Sequence, residues 1–202
     1  METQISQEDL EQITAGIRQK YSRVADSPEG HFKYPTGRAG LEALKYDTTL
    51  TGKLPDEVAA SYCGIGNPFS LGAVRGGDAV LDIGCGAGVD TILAAMMTGP
   101  GGKVIGVDIV PEMLARAEAN LKRMDLRHVT FQSATGERLL FPDEHFDVVI
   151  SNGVINLIPD KDAAMREILR VLKAGGHLMI ADQVMAGGTP KSLKDRISSW
   201  FQ

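Results

Sequence analysis

Two carboxylates and three glycines stand at spacings that could hold a nucleoside. The stretch Ala79-Val-Leu-Asp-Ile-Gly-Cys-Gly-Ala-Gly-Val-Asp90 runs apolar into Asp82. It then sets Gly84, Gly86 and Gly88 ahead of a helical pattern beginning at Thr91. A strand, a turn without side-chain bulk and a helix N-terminus together let backbone approach a ligand closely. Glycines alone could simply join a strand to a helix. The second acid sharpens the motif: Asp108, twenty residues beyond Gly88, closes the apolar run Lys103-Val-Ile-Gly-Val-Asp108. A carboxylate there can accept from both hydroxyls of a ribose, as acids do in nucleoside-binding α/β folds.

These groups can act together only if a sheet brings the strand ends to one edge. The pattern predicts strands at Ala79–Ile83, Val104–Asp108, His128–Gln132, Val148–Ser151 and Leu178–Asp182. Helices are expected at Thr91–Met97, Pro111–Met124 and Lys161–Leu172, the last ending at Ala174-Gly175-Gly176. Pro111 suits a first helical turn and the glycine pair a helix end. Strands alternating with helices mean an α/β fold with a doubly wound, mostly parallel, Rossmann-like sheet. Ser151-Asn152 would then emerge beside Asp82 and Asp108, outside the carboxyl ends of the strands, where such sheets bind ligands. Residues 1–75 differ in character. Leu10, Ile13, Ile17, Tyr21 and Val24 recur at helical spacing within Gln7–Ala25, and a Gly/Pro-punctuated stretch follows. This segment is too short to bury a core of its own and is read as a helical cap over the crevice. Residues 76–202 are read as the ligand-binding domain. A further helix can begin near Lys191, with no strand after it.

Composition narrows the partners. The chain is 43% hydrophobic and 23% charged, with a net charge of −5. It has no basic block for a nucleic-acid backbone. No apolar run approaches the ~20 residues that span a bilayer, and Met1-Glu-Thr-Gln does not begin a signal peptide. Two cysteines, Cys63 and Cys85, are too few for a disulfide scaffold, so a cytoplasmic setting is expected.

The dinucleotide fingerprint needs a glycine where this chain has Val89. No basic residue lies between Asp82 and Gly101 to meet a pyrophosphate. A zwitterionic methionine tail carrying a sulfonium suits this loop better. The pattern resembles motif I of the class I S-adenosylmethionine-dependent methyltransferases. More specifically, Leu54-Pro-Asp-Glu-Val-Ala, Gly64-Ile-Gly-Asn-Pro68, Val107-Asp-Ile-Val-Pro-Glu-Met113 and Ser151-Asn-Gly-Val-Ile-Asn-Leu157-Ile-Pro-Asp-Lys161 resemble the arsenite methyltransferases, over roughly Lys53 to Asp182. Arg170-Val-Leu-Lys-Ala-Gly-Gly176 is similar to the segment before the fifth strand of those enzymes, where proline usually holds the Ala174 position.

The resemblance implies transfer of a methyl group from S-adenosylmethionine to a soft, thiol-bound metalloid, leaving S-adenosylhomocysteine. It implies cofactor contacts from Gly84, Cys85, Gly86 and Gly88, with Asp108 on the ribose, Ile109 against the adenine and Asn152 at the methionine end. Asp82 would orient the turn or the ligand's amino group. The family's acid for the adenine amino group falls at Thr135, and Gly136 could offer its N–H instead. On the acceptor side, Tyr34, Tyr62 and Asn67 could close over the cofactor. Family cysteines stand where this chain has Ile65 and Gly153, and a third follows the fifth strand, close to where this chain ends at Ser199-Trp-Phe-Gln202. Thiophilic arsenic needs two or three converging thiolates, and Cys63 is the thiol available. Cys63 is either an acceptor-site group or a buried cap residue, while Cys85 reads as a small packed side chain. His31 could be an acceptor-side base or a surface residue.

The family's terminal β-hairpin is expected to be missing, which reads as truncation; an in-frame stop decoded as selenocysteine is one route, tested by the coding sequence past codon 202. Two alternatives stay open: an organic acceptor, with Gly153 leaving room, or a module that binds the cofactor without catalysis.

Overall fold

A computed structural model describes residues 6–184. Among them, strands β1 (Ala79–Ile83), β2 (Lys103–Asp108), β3 (Val129–Ser133), β4 (Phe146–Asn152) and β5 (Leu172–Ala181) form one sheet in the order β3-β2-β1-β4-β5. Every pairing is parallel. Helices α1 (Gln7–Asp26), α2 (Gly37–Ala43), α3 (Thr48–Thr51) and α4 (Asp56–Ala60) precede the sheet. Helices α5 (Val89–Thr98), α6 (Pro111–Leu121) and α7 (Lys161–Val171) lie between strands.

Strand alternation decides which side chains reach the site. On β1, Leu81 and Ile83 pack with Phe146, Val149, Ile168 and Val171 on the α7 side. Val80 packs with Ala94, Ala95, Val148 and Ile150 on the α5 side. Period two therefore sends Asp82 to the α5 side. Helix α5 is buried from Val89 to Ala95 and makes the centre of that layer. The chain winds outward from β1 to β3, then returns to place β4 on the other side of β1. The crevice opens at that reversal, between the ends of β1 and β4.

Helix α1 begins with a capping box, Ser6 and Asp9 each binding the other's backbone N–H. Its buried face, Ile13, Ile17, Val24 and Ala25, lies toward α6. Leu41, Tyr46, Leu54, Val58 and Tyr62 from the segment after α1 share one cluster with Val89, Ile92 and Leu93 of α5.

The end of α7 departs from expectation. The helix stops at Val171, and Leu172 already pairs with Phe146 as the first residue of β5. Ala174-Gly175-Gly176 is a bulge within that strand, over which the register jumps from Phe146↔Leu172 to Val148↔His177. Lys173 fixes the bulge by donating to both oxygens of Asp147 at 2.8 Å, and Asp147 also accepts from the Ala79 N–H. A paired ladder at Leu172 outcompetes a glycine helix cap. The helix expected near Lys191 lies outside the described residues.

Candidate active site

The carboxyl ends of β1, β2 and β4 open into a cavity of about 330 Å³, within the range of small-ligand sites. Leu10, Thr14 and Ile17 of α1 roof it, with Phe32, Tyr34 and residues 61–65. Five carboxylates line it, Asp82, Asp90, Asp108, Glu137 and Asp160. Lys20 is the one Lys or Arg among the described lining residues. The cavity therefore favours a cationic guest.

Asp108 is held from both sides. Its Oδ2 accepts from Gly86 N–H at 2.8 Å and its Oδ1 from Val110 N–H at 2.9 Å. Each oxygen keeps a lone pair free to accept from a ligand. Burial pushes its pKa up against these stabilising bonds. The N–H groups of Gly84 and Cys85 both donate to Val107 C=O. What the turn offers a ligand is thus absence of bulk rather than donors. Gly88 is not among the lining residues. Its φ of 79° starts α5, and a Cβ there would meet the Phe131 ring at 2.7 Å. Gly88 lets α5 pack closely against its neighbours and does not face the cavity.

Asp82 accepts from Thr91 Oγ1 at 2.6 Å, tying the strand end to the first turn of α5. Desolvation, with Asp90 and Asp108 adding repulsion, raises its pKa to about 8. Asp90 is raised to about 6 by burial.

Asn152 ties the strand edge to the cap. Its Oδ1 accepts from the Ile65 and Gly66 N–H groups at 3.0 and 3.1 Å. Its Nδ2 donates to Gly66 C=O at 2.8 Å and to Asp90 at 2.9 Å. Tyr46 OH donates to the other oxygen of Asp90, and Tyr62 OH to Gly66 C=O. Asn120 on α6 makes a second tie, donating to Ser61 Oγ and Ala87 C=O.

The remaining expected residues divide. Cys85, Ile109, Thr135, Gly136, Tyr34 and Gly153 all line the cavity. Asn67 does not: its amide donates to Leu44 and Lys45 carbonyls and accepts from Phe69 N–H, capping the short turn Pro68–Ser70. His31 is exposed and outside the lining. Cys63 lines the cavity, but burial and the nearby Asp108 and Asp90 carboxylates push its thiol up to about 12. Tyr34 OH donates to Cys63 C=O at 3.1 Å. Gly153 has φ 75°, and a Cβ there would meet Ile65 at 3.2 Å, so these two positions are neighbours. No group of three or more His, Cys, Asp or Glu that could hold a metal occurs among the described residues. Nor is any described helix long and apolar enough to cross a membrane.

A family model described as a methyltransferase domain matches residues 75–202. The chain belongs to the methyltransferase domain family. An arsenite methyltransferase of Halobacterium salinarum is 34% identical over 207 residues, covering 96% of this chain and 53% of that protein. A ubiquinone/menaquinone biosynthesis C-methyltransferase of Pseudomonas putida is 42% identical over 116 residues, 56% of this chain and 45% of that one. The crystal structure of an arsenic(III) S-adenosylmethionine methyltransferase from Chlamydomonas reinhardtii superposes with TM-score 0.60 at 34% identity, covering 74% of this chain and 50% of that chain. The chain spans about half the length of the curated relatives it matches.

Sequence reasoning on this methyltransferase domain missed Asp90, Tyr46, Glu137 and Lys20 as members of the site. Asp90 had a signal, an acid in the first turn of the helix that follows the glycine motif. Lys20 and Tyr46 reach the site only through packing of the cap.

Proposed function

We propose that the chain is an S-adenosylmethionine-dependent methyltransferase acting on a small acceptor. The observation that carries this reading is the acid-lined cavity at the sheet's reversal, where Asp108 meets a turn without side-chain bulk. When bound, the cofactor supplies a methyl group on a positively charged sulfur, open to in-line displacement. Asp108 accepts from the ribose hydroxyls, Ile109 and the Thr135-Gly136 backbone flank the base, and Asp82 and Asp90 face the cationic end. The roof of α1 and the cap aromatics exclude water, and positioning supplies much of the rate. No protein base is needed if the acceptor is already a good nucleophile. Residues 1–75 serve in this reading as the cap and 76–202 as the cofactor domain, in the cytoplasm.

Likeness to the arsenite methyltransferases favours a metalloid acceptor. A specific observation favours an organic one. Ile65 packs where a side chain at Gly153 would stand, and the partly buried Cys63 thiol stays protonated at neutral pH. A thiophilic acceptor would find two protonated thiols lining the cavity here, Cys63 and Cys85, rather than two or three thiolates. The relative named for ubiquinone/menaquinone biosynthesis is consistent with an organic acceptor. Methyl transfer from labelled cofactor to arsenite with glutathione, run beside phenols and enolisable acids, tests the choice. Turnover of an organic acceptor with little on arsenite is expected; rapid arsenite methylation would reverse it, and failure to bind the cofactor in calorimetry would end both readings.

The acids make cofactor binding depend on pH. Asp82 and Asp90 have pKa values raised from 3.8 to about 8 and about 6, so both bind protons more tightly folded than unfolded. The unliganded protein therefore loses stability as pH rises from roughly 4 to 8. A cation does the opposite, favouring the ionised acids and binding better as pH rises. The ratio of S-adenosylmethionine to S-adenosylhomocysteine affinity is expected to climb between pH 6 and 8.5, by up to about tenfold for each carboxylate that ionises. Calorimetry at both pH values reads it, and a constant ratio would remove these acids from the charged end.

A further inference from the structure

The chemistry of the acceptor side follows from Lys20. Among the described residues its side chain is the one Lys or Arg in a cavity lined by five carboxylates, and no described carboxylate forms an ion pair with it. Its Nζ instead stands over the rings of Phe32 and Tyr21, 5.5 and 5.9 Å from their centroids. Those rings continue into Tyr34, with centroids 6.4 Å apart for Tyr21–Phe32 and 5.0 Å for Phe32–Tyr34. All four residues line the cavity. A half-buried ammonium held by π faces alone has given up water without gaining an anion. An aromatic wall ending in an unpaired positive charge is complementary to a flat ring that carries a negative oxygen.

We infer that Lys20 with Tyr21, Phe32 and Tyr34 forms an acceptor subsite for a planar phenolate-type anion, with Lys20 pairing the oxygen that takes the methyl group. The inference rests on the proposed methyltransferase activity with an organic acceptor. The acceptor hydroxyl loses its proton to water as Lys20 stabilises the oxygen anion. That oxygen then forms a C–O bond to the methyl carbon while the C–S bond breaks; sulfur keeps the electron pair and becomes a neutral thioether, and Lys20 remains an ammonium. Burial lowers the Lys20 pKa, with the neighbouring Cys63 acting against it, and an anionic partner would raise it. The neutral aromatic wall sets the ring, so that the oxygen paired with Lys20 is the one presented to the methyl carbon.

The same positive charge could serve a second anionic oxygen, the carboxylate of the cofactor's own methionine tail, so the experiment separates the two. The full chain, saturated with S-adenosylhomocysteine, is titrated with 4-nitrophenol at a pH below the probe's own pKa, following the yellow phenolate band. The band is expected to grow on binding. Lys20→Met should weaken phenolate binding at least tenfold while leaving S-adenosylhomocysteine affinity within twofold, and Lys20→Arg should restore most of it. No band with the wild type, or equal binding to Lys20→Met, overturns the subsite. A fall in S-adenosylhomocysteine affinity with phenolate binding unchanged also overturns it and gives Lys20 to the cofactor carboxylate. Failure of the wild type to bind S-adenosylhomocysteine at all would instead reject the methyltransferase reading on which the subsite rests.

Discussion

Asp108→Ala is expected to lose about 1–3 kcal/mol of S-adenosylmethionine affinity, roughly 5- to 150-fold. The carboxylate acts twice. Toward the protein it holds the Gly86 and Val110 N–H groups at 2.8 and 2.9 Å, and so fixes the bend that keeps bulk out of the cavity. Toward the ligand its remaining lone pairs accept from the ribose. Alanine removes both actions, leaving two backbone donors without an acceptor and the ribose without its charged partner. Asp108→Asn separates them in part, because an amide keeps one accepting oxygen but turns an N–H₂ toward one of the two backbone donors. Calorimetry beside a denaturation curve distinguishes lost affinity from lost fold. Unchanged affinity in a folded Asp108→Ala protein would mean that the cofactor does not lie at the end of β2.

Asn152→Ala is expected to destabilise the chain by about 2–4 kcal/mol, a large loss for one half-buried side chain. Its amide serves two backbone N–H groups and one backbone C=O of the segment 64–66, and it donates to the buried Asp90. Truncation strands the Ile65 and Gly66 N–H groups, while Gly66 C=O keeps Tyr62 and Asp90 keeps Tyr46 as side-chain donors. Urea unfolding with an unchanged slope and a lowered midpoint checks the cost. Faster hydrogen exchange at the Ile65 and Gly66 amides would place it at the cap. A loss below about 0.5 kcal/mol would show water replacing the amide, and the network would then be dispensable. Because this side chain ties the end of β4 to residues 65–66 at the cavity, cofactor affinity should fall with stability.

Much of the sheet was legible in the chain because local pattern and tertiary role agree there. β1 is Ala79–Ile83 as read, and β2 and β4 differ by a few residues at their ends. Their apolar runs are continuous because both faces are covered, and the acids mark where the runs meet the cavity. Helix α1 follows from the helical spacing of its apolar residues, and the structure adds the capping box that starts it. The misreadings share a cause. Gly175-Gly176 looks like a helix end, yet long-range pairing of Leu172 with Phe146 decides that segment. Gly88 shares the motif of Gly84 and Gly86, but only the packing of Phe131 and Ala117 against α5 shows that it faces inward. Asn67 looks like a lid residue and is a local turn cap.

By itself the sequence determined the parallel sheet, the acids at its carboxyl edge and the kinship to methyltransferases, since each rests on periodicity or spacing within a few tens of residues. The tertiary structure alone decided which groups share one low-dielectric hollow: Asp90 with Asn152, Ile65 with Gly153, Lys20 with Asp108. Those partners lie far apart along the chain, and a side chain's charge, burial and reactivity are set by neighbours that folding brings within a few ångströms.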